Sequence, residues 1–391
     1  MGVRTARETM APSASSTEAL MPPPPQSTER VEVVVTGTTL PFDPPGGSAV
    51  ASDRPAGPVG GRGPAARLWS NGAMTDASDD ARRHAPSTLR VRLDLAYDGA
   101  AFSGWAAQPG LRTVEGVLTA ALSTVLRVPV RLTVAGRTDA GVHAAAQVAH
   151  LDVPVEAWRA LPGRSDRTPA QALATRLAGV LARRALAGPR GAADVVITGA
   201  RVVPDGFDAR FSALRRRYAY RIADAVSPHD PLRRGHVLWV RGRLDVEAME
   251  ESAAPLLGEH DFLSYCRPRA GATTIRTLSG LTWRRESGPG GDAGLVVLSA
   301  TADAFCHSMV RSLVGAGLAV GRGSRPPAWP GELLTGHSRE VAAPVAPPHG
   351  LILEAVDYPD DDDLAGRAVR ARRLRRPPAG GAAAIRGGDC C

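Results

Sequence analysis

The pattern of apolar and polar positions divides the middle of the chain into strands and helices. From Leu89 to Tyr97 every second residue is apolar or aromatic, and three of the four residues between them are charged. This alternation predicts a half-buried antiparallel strand. From Val114 to Val125 the apolar residues recur every three or four positions behind Thr113. That spacing predicts an amphipathic helix with a threonine N-cap.

The same reasoning predicts further strands and helices along the chain. Strands are predicted over 131–135, 146–153, 195–203, 215–223, 275–285, 295–302 and 351–356. Helices are predicted over 171–186, 245–257 and 305–320. A β-α-β-β order occurs twice, which favours an α+β fold with two tandem α/β subdomains and a largely antiparallel sheet flanked by helices. We place the two subdomains at 87–212 and 213–359.

Both ends of the chain have a different composition. Residues 1–86 are rich in proline, glycine, serine and threonine, which predicts a disordered N-terminal extension. An alternative is that translation starts at Met74 and that the upstream residues are an artefact of gene annotation. Residues 360–391 carry an acidic run followed by arginines, which predicts a disordered tail able to add nonspecific phosphate contacts.

The charge of the chain indicates a polyanionic partner. Its 391 residues carry a formal net charge of +8, and all 47 permanently basic side chains are arginine. A codon bias explains part of that preference, so the charge alone does not establish binding to nucleic acid. Arginine stays charged when buried and binds phosphate or carboxylate through two parallel hydrogen bonds. A fixed cation in any active site of this chain is therefore expected to be an arginine.

Cysteine usage and hydropathy exclude several classes of protein. The four cysteines form no CxxC or CxxH pair, so we predict no metal site. Cys266 and Cys306 are predicted to be reduced core residues. The chain has no apolar run of the ~18 residues that span a bilayer and no signal peptide. We therefore predict a cytoplasmic protein without membrane association.

The segment Gly136-Arg137-Thr138-Asp139-Ala140-Gly141-Val142-His143 lies between two predicted strands. It places a carboxylate two residues from an arginine on a turn bracketed by glycines. Asp139 is therefore a candidate nucleophile beside a cation that can bind a polyanion. The alternative is that Asp139 only caps the turn. A loop held by a strand favours the functional interpretation, because a rigid element can fix the geometry of a site.

This octet and several other segments resemble the tRNA pseudouridine synthase A family over Leu89 to Pro359. The family's GRTDAGVH motif is unbroken here, and its Y-D-G-x-x-F-x-G-W segment is present from Tyr97 to Trp105. Further matches are Phe207-Asp208-Ala209-Arg210-Phe211-Ser212, Arg216-Arg217-Tyr218, Gly258-Glu259-His260-Asp261-Phe262, Arg276-Thr277, Met309-Val310-Arg311, Ala346-Pro347, Gly350-Leu351 and Val356-Asp357-Tyr358-Pro359. The chain departs from the family pattern at Ala106, at His307-Ser308 and between Leu181 and Ala193.

The resemblance implies a pseudouridine synthase fold and an isomerase activity. The expected reaction converts uridine to pseudouridine at positions 38–40 of the tRNA anticodon stem-loop, without a cofactor or metal. The resemblance also implies a homodimer whose cleft is shared by both subunits. It assigns Asp139 as the catalytic nucleophile and Tyr218, Arg137 and Arg311 as substrate-binding residues.

Each of these assignments has a structural alternative. Arg311 lies in an apolar helix, where it is expected to neutralise Asp139, but an arginine there also suits a plain salt bridge. Tyr218 is expected to stack on the target base and to assist removal of the C5 proton, but its strand pattern also fits a buried core tyrosine. Arg137 is expected to hold the flipped nucleotide out of the stack, or else to contact a phosphate.

Other polar residues have less specific expectations. His143 and His260 are expected to be hydrogen-bonded scaffold residues, and Asp98 a structural turn residue. A basic cluster is expected to meet RNA phosphates, although a solvated charged face has the same pattern. The cluster consists of Arg210, Arg215, Arg216 and Arg217.

Two other functions remain open from the sequence. One is an RNA-binding module without activity, and the other is a hydrolase with an aspartate nucleophile. Retaining glycosidases use two carboxylates about 5–5.5 Å apart, whereas the octet supplies only one. The sequence also leaves open whether the aspartate attacks the uracil ring or the sugar carbon.

Overall fold

Ten strands form one sheet in the computed structural model, which describes residues 88–186, 188–268, 273–336 and 343–372. The strands are β1 Thr88–Tyr97, β2 Thr133–Val134, β3 His143–Pro154, β4 Val195–Val203, β5 Arg215–Ala223, β6 Leu238–Trp239, β7 Gly258–Asp261, β8 Ile275–Arg285, β9 Val296–Ala302 and β10 Leu351–Asp357. Their order is β4-β1-β3-β10-β5-β9-β8-β7, with β2 beside β3 and β6 beside β5. Only the β3–β10 and β5–β6 pairs are parallel among these described strands.

Seven α-helices lie in the same described ranges. They are α1 Val114–Leu126, α2 Val155–Arg159, α3 Pro169–Ala182, α4 Val246–Glu251, α5 Met309–Gly321, α6 Trp329–Gly336 and α7 Leu364–Ala371. Thr113 caps α1 as predicted, since its side chain accepts from the Gly116 amide. Thr168 and Gln171 form a capping box on α3. Within the part of the chain described here, no helix has the length and apolar character needed to cross a bilayer.

The α+β class predicted from the sequence is confirmed. The strands at 195–203, 215–223 and 275–285 have the predicted bounds. The alternation in β1 is also confirmed, because Val91, Leu93 and Leu95 are fully buried while the residues between them are partly exposed. Burial of one such aliphatic side chain stabilises the folded state by about 1.5–3 kcal/mol relative to leaving it exposed.

Three predicted helices differ from those observed. The helix predicted over 171–186 spans Pro169–Ala182. The helix predicted over 245–257 ends at Glu251, and a 3₁₀ turn follows over Ala254–Leu256. Pro255 lies in that turn, and proline lacks the amide that an α-helix needs. The helix predicted over 305–320 begins only at Met309, because Ser308 has a left-handed backbone with a φ of 63°.

The parallel contact between β3 and β10 joins the two halves of the sheet. Strands β4, β1 and β3 come from the first predicted subdomain, and β10, β5, β9, β8 and β7 come from the second. At the junction Ile352 pairs with His143 and Leu353 with Ala144. The subdomain boundary at 212 stays a prediction, since one sheet runs through both halves. The octet at 136–143 enters β3 at this junction.

The segments predicted to be disordered lie largely outside the described residues. The N-terminal extension, 1–86, lies there entirely, and so does the tail after Arg372. The first part of the predicted tail, however, is helical: Leu364 and Ala368 of α7 are buried one turn apart. The Ser212 hydroxyl also donates to the Leu364 carbonyl at 3.0 Å. The burial of Leu364 and Ala368 could not be predicted from the charged residues that dominate 360–391.

Candidate active site

The loop formed by residues 136–143, here called the signature loop, packs closely against the turn that follows β1. The Trp105 amide donates to the Thr138 carbonyl at 3.0 Å, and the Gly141 amide donates to the Phe102 carbonyl at 3.2 Å. Gly104 has a φ of 88°, and a Cβ atom there would lie 2.9 Å from the Thr138 oxygen. Only glycine fits this backbone and this distance without strain.

A buried hydrogen-bond network fixes the base of the signature loop. The Tyr97 hydroxyl is 2.8 Å from Thr138 Oγ1. Gln147 Nε2 donates to the Tyr97 hydroxyl at 3.1 Å and to the Gly136 carbonyl at 2.9 Å. Burial raises the pKa of Tyr97 to about 12, so its phenol is neutral at neutral pH. The network holds Gly136 and Thr138, which precede Asp139 in the loop, and no pattern in the sequence indicates this role of Gln147.

Arg311 meets the carboxylate of Asp139 from α5. Its Nη1 atom lies 3.3 Å from Asp139 Oδ2, and its Nε donates to the Ala346 carbonyl at 2.7 Å. The Ala346 amide in turn donates to the Arg311 carbonyl at 3.0 Å. The two charged side chains are 18% and 23% exposed, so their attraction is screened less than that of a surface pair. The carboxylate accounts for an arginine in an otherwise apolar helix.

Two residues before α5 also reach Asp139. Ser308 Oγ donates to Asp139 Oδ2 at 3.1 Å, and His307 Nε2 lies 3.4 Å from Oδ1. The sequence showed this pair only as a departure from the family pattern. No local signal in the sequence reveals the contact, because 169 residues separate Ser308 from Asp139.

Tyr218 lies in β5 and contacts Phe305, three residues before Ser308. Its side chain is buried, and its ring meets the edge of Phe305 with centroids 5.2 Å apart. Burial raises the pKa of Tyr218; the positive charge of Arg216 opposes this shift, and the negative charge of Asp139 adds to it. The segment 305–308 therefore connects Tyr218, through Phe305, with Asp139, through His307 and Ser308.

Arg137 stands on the signature loop two residues before Asp139. Its side chain is exposed, unlike those of Thr138 and Asp139. Exposure leaves the guanidinium able to meet a polyanion from solvent. The structure thus pairs Asp139 with Arg311, places Tyr218 near enough to Asp139 for the carboxylate to affect its pKa, and leaves the side chain of Arg137 exposed.

Comparison with known proteins identifies the family. A model of the family described as tRNA pseudouridine synthase matches residues 253–359. The tRNA pseudouridine synthase A of Streptomyces griseus is 52% identical over 300 residues, which cover 76% of this chain and 97% of the relative. Proteins of the same name from Streptomyces avermitilis and Frankia casuarinae are 51% and 53% identical; their alignments cover 76% and 74% of this chain and 97% of each relative. The chain belongs to the tRNA pseudouridine synthase A family. It is accordingly an isomerase that forms pseudouridine in tRNA.

In this tRNA pseudouridine synthase the predicted basic cluster does not act as one surface. Arg216 is buried and donates to the carbonyls of Asp303, Ala135 and Arg210, so it stabilises the fold and is not available to phosphate. The side chain of its neighbour Arg217 is 51% exposed. Of the four arginines, Arg210, Arg215 and Arg217 keep exposed side chains. The prediction was wrong for Arg216 because successive side chains of a strand point to opposite faces, so β5 turns the middle one of the three successive arginines inward.

The prediction that Cys266 and Cys306 are reduced was also wrong. The structure joins them in a disulfide, with Cα atoms 5.8 Å apart. Arg267, next to Cys266, donates its amide to the His307 carbonyl at 3.1 Å. The disulfide therefore fastens the segment that carries His307 and Ser308. The two cysteines lie 40 positions apart in the sequence, so no local motif indicates the pairing.

The two histidines of the family motifs are scaffold residues, as predicted. His143 Nδ1 accepts from the Gly99 amide at 3.0 Å, and Nε2 lies 3.1 Å from the Gly235 carbonyl. His260 Nε2 lies 2.7 Å from the Leu257 carbonyl. Each imidazole ring contacts backbone groups of other residues, and His143 does so at the end of the signature loop.

Proposed function

We propose that this pseudouridine synthase acts on uridines 38–40 of the tRNA anticodon stem-loop, with Asp139 as the nucleophile. The reaction breaks the N1–C1′ glycosidic bond, turns the uracil and joins C5 to C1′. The proton on C5 leaves and N1 gains a proton, so the product is an isomer of the substrate. The observation that carries the proposal is the Asp139 carboxylate, held on a rigid loop by Arg311 at 3.3 Å and Ser308 at 3.1 Å.

The surroundings of Asp139 suit a nucleophilic carboxylate. The side chain is 23% exposed, and a partly desolvated anion is more reactive than a fully hydrated one but costs free energy to hold. Arg311 offsets that cost because its guanidinium is permanently charged. The carboxylate adds either to the uracil ring or to C1′, and both routes give a covalent intermediate that frees the base to turn.

Tyr218 is proposed to pack against the target base. Its raised pKa keeps the phenol neutral at neutral pH. The hydroxyl therefore acts through hydrogen bonds, and no phenolate is present to serve as a base before the substrate binds. An aromatic ring is a stacking surface for any extruded base. The edge contact with Phe305 holds the ring of Tyr218 in place beside the segment that carries Ser308.

Arg137 is proposed to fill the space that the flipped nucleotide vacates. A target base inside the stem is out of reach until it leaves the stack. The exposed guanidinium of Arg137 is planar and charged, so it can stack on the neighbouring bases and pair with a phosphate.

We further propose that the protein acts as a homodimer in the cytoplasm. The homodimer follows from the resemblance to the family, and the cytoplasmic location follows from the tRNA substrate. Size-exclusion chromatography with light scattering of the full chain tests the first of these. A monomeric mass at the concentrations used for activity would contradict it.

The test of the function uses tRNA transcripts with one uridine in the anticodon arm, at position 38, 39 or 40, and a control transcript with uridines only in other arms. Pseudouridine is mapped chemically after incubation with the full chain, with Asp139→Asn and with Asp139→Ala. Asp166→Asn is the matched control, because Asp166 is an exposed carboxylate in the α2–α3 connection.

The expected result is conversion at the three positions by the wild type and by Asp166→Asn, and none by either Asp139 variant. Conversion by Asp139→Ala would overturn the assignment of the nucleophile. Conversion only in the control transcript would overturn positions 38–40. Binding without conversion would favour the RNA-binding module, and release of free uracil would favour the hydrolase.

A further inference from the structure

We infer that Ser308 is a positioning residue that orients the carboxylate of Asp139 for attack. This inference rests on the proposed role of Asp139. Ser308 Oγ donates to Asp139 Oδ2 at 3.1 Å, and Arg311 Nη1 lies 3.3 Å from the same oxygen. Both groups come from the start of α5, one from the residue before the helix and one from its first turn.

The backbone of Ser308 indicates that its hydroxyl is committed to this contact. Ser308 is the N-cap of α5, a position where serine normally accepts a hydrogen bond from the first turn of the helix. Here the side chain makes no such cap bond. The residue also has a φ of 63°, which is uncommon for any residue except glycine and costs free energy. Ser308 thus lacks the usual cap hydrogen bond and has an unfavourable backbone conformation. The hydrogen bond to Asp139 is the contact that this conformation makes possible.

The contact supplies something that Arg311 alone does not. A charge attracts the carboxylate but leaves it free to turn about its Cβ–Cγ bond, whereas a hydroxyl donor fixes a direction. Arg311 is itself fixed, because its Nε donates to the Ala346 carbonyl. Two donors on Oδ2 therefore set the plane of the carboxylate, and Oδ1 faces His307 Nε2 at 3.4 Å. Small errors in the placement of a reacting group cost large factors in rate.

A purely structural role for Ser308 makes a different prediction. If the residue only ends the turn before α5, glycine should replace it without loss, since glycine adopts a positive φ freely. Ser308→Gly therefore removes the hydroxyl while it favours the observed backbone. Ser308→Asn retains a donor and tolerates a left-handed backbone. Ser324→Ala is the matched control: its hydroxyl donates to the Ala319 carbonyl at 2.8 Å just beyond the other end of α5.

The measurements are kcat and KM on an anticodon stem-loop transcript, single-turnover rates, tRNA affinity and melting temperature of the full chain. Ser308→Gly and Ser308→Ala are expected to lower kcat and the single-turnover rate by about tenfold or more, as for loss of a hydrogen bond to a charged group. KM and tRNA affinity should stay within about twofold of the wild type. Ser308→Asn should regain part of the rate, and Ser324→Ala should match the wild type.

The inference is overturned if Ser308→Gly keeps kcat within about twofold of the wild type. It is also overturned if the loss of rate follows a matching loss of tRNA affinity or of melting temperature in Ser308→Gly. These failures differ from failure of the proposed function. An active wild type and an inactive Asp139→Ala would still support the nucleophile, whatever Ser308 does.

Discussion

The guanidinium of Arg311 lies 3.3 Å from the carboxylate of Asp139, although 172 residues separate the two in the chain. The pair joins the signature loop, which leads into β3, to helix α5. Because β3 and α5 come from different halves of the sequence, the contact forms only when both halves of the sheet have assembled. Arg311 also binds the Ala346 carbonyl, so its position is fixed by two partners of different kinds.

Arg311→Ala is expected to lower kcat by about 100-fold or more, because a partly buried carboxylate would lose its fixed cation. Arg311→Lys should fall between this variant and the wild type. Lysine keeps the charge, but its single ammonium cannot replace the planar fork that meets both Asp139 and Ala346. Steady-state kinetics on an anticodon stem-loop transcript measure the effect. Arg322→Ala, an exposed arginine at the end of α5, is the control, and a lysine variant with full activity would contradict the prediction.

Gly104→Ala is expected to reduce both stability and activity. The substitution places a Cβ atom 2.9 Å from the Thr138 carbonyl on a backbone with a φ of 88°, so the signature loop must shift. Gly110→Ala provides a matched control, since Gly110 also has a positive φ, 73°, but its Cβ position has no atom within 4 Å. The control should lose about 1 kcal/mol from the free energy of unfolding, and Gly104→Ala should lose more.

Urea unfolding and kcat are measured for both variants. Both substitutions strain a backbone with positive φ, but only Gly104→Ala also displaces Thr138, so a difference between the variants reports the effect of that displacement. Similar losses of stability, with full activity in both variants, would mean that the signature loop tolerates displacement. An inactive Gly104→Ala beside an active Gly110→Ala would tie the rate to the position of Thr138 and hence of Asp139.

Much of the fold could be predicted from local patterns. The bounds of β4, β5 and β8 were predicted correctly, because β-branched and aromatic residues, which favour strands, are frequent in these segments. The start of α5 could not be predicted in this way. Ser308 ends the helical path with a left-handed backbone, and its apolar neighbours continue the helical spacing across that break.

The site was predictable only in part. An arginine in an apolar helix pointed to Arg311, and the resemblance to the family pointed to Asp139 and Tyr218. The contacts of Ser308 and His307 with Asp139, and of Gly104 with Thr138, arise from tertiary packing. A single sequence contains no local signal for contacts of this kind. The disulfide between Cys266 and Cys306 escaped prediction for the same reason.

All five tyrosines are expected to resist ionisation in the folded protein. Burial raises the pKa of each of them, that of Tyr97 to about 12. A pKa raised above the unfolded value of about 10 gives stability that is present below pH ~10 and lost as the pH rises through 10 toward 12. Absorbance of the phenolate near 295 nm should therefore appear only with unfolding. In urea the same tyrosines should titrate near pH ~10.

Tyr97→Phe separates one tyrosine from the rest. The variant keeps the ring but loses the hydroxyl that meets Thr138 and Gln147, so the absorbance change should fall by one part in five. Removal of one partner from this buried network is expected to cost about 1–3 kcal/mol of unfolding free energy. Titration of the folded wild type near pH ~10, without a change in circular dichroism, would contradict the burial argument.

Reduction of the disulfide between Cys266 and Cys306 is expected to lower the free energy of unfolding by about 2–4 kcal/mol. The bond restricts the unfolded chain over a sequence separation of 40 residues, and reduction releases that restriction. Urea unfolding with and without a thiol reductant measures the difference.

The double variant Cys266→Ser, Cys306→Ser should no longer respond to the reductant, which separates this bond from any effect of Cys390 and Cys391. Because the bond fastens the segment that carries His307 and Ser308, kcat should fall on reduction in the wild type alone. Equal stability with and without reductant, in a wild type whose disulfide is verified by peptide mapping, would show that the bond adds nothing to the fold.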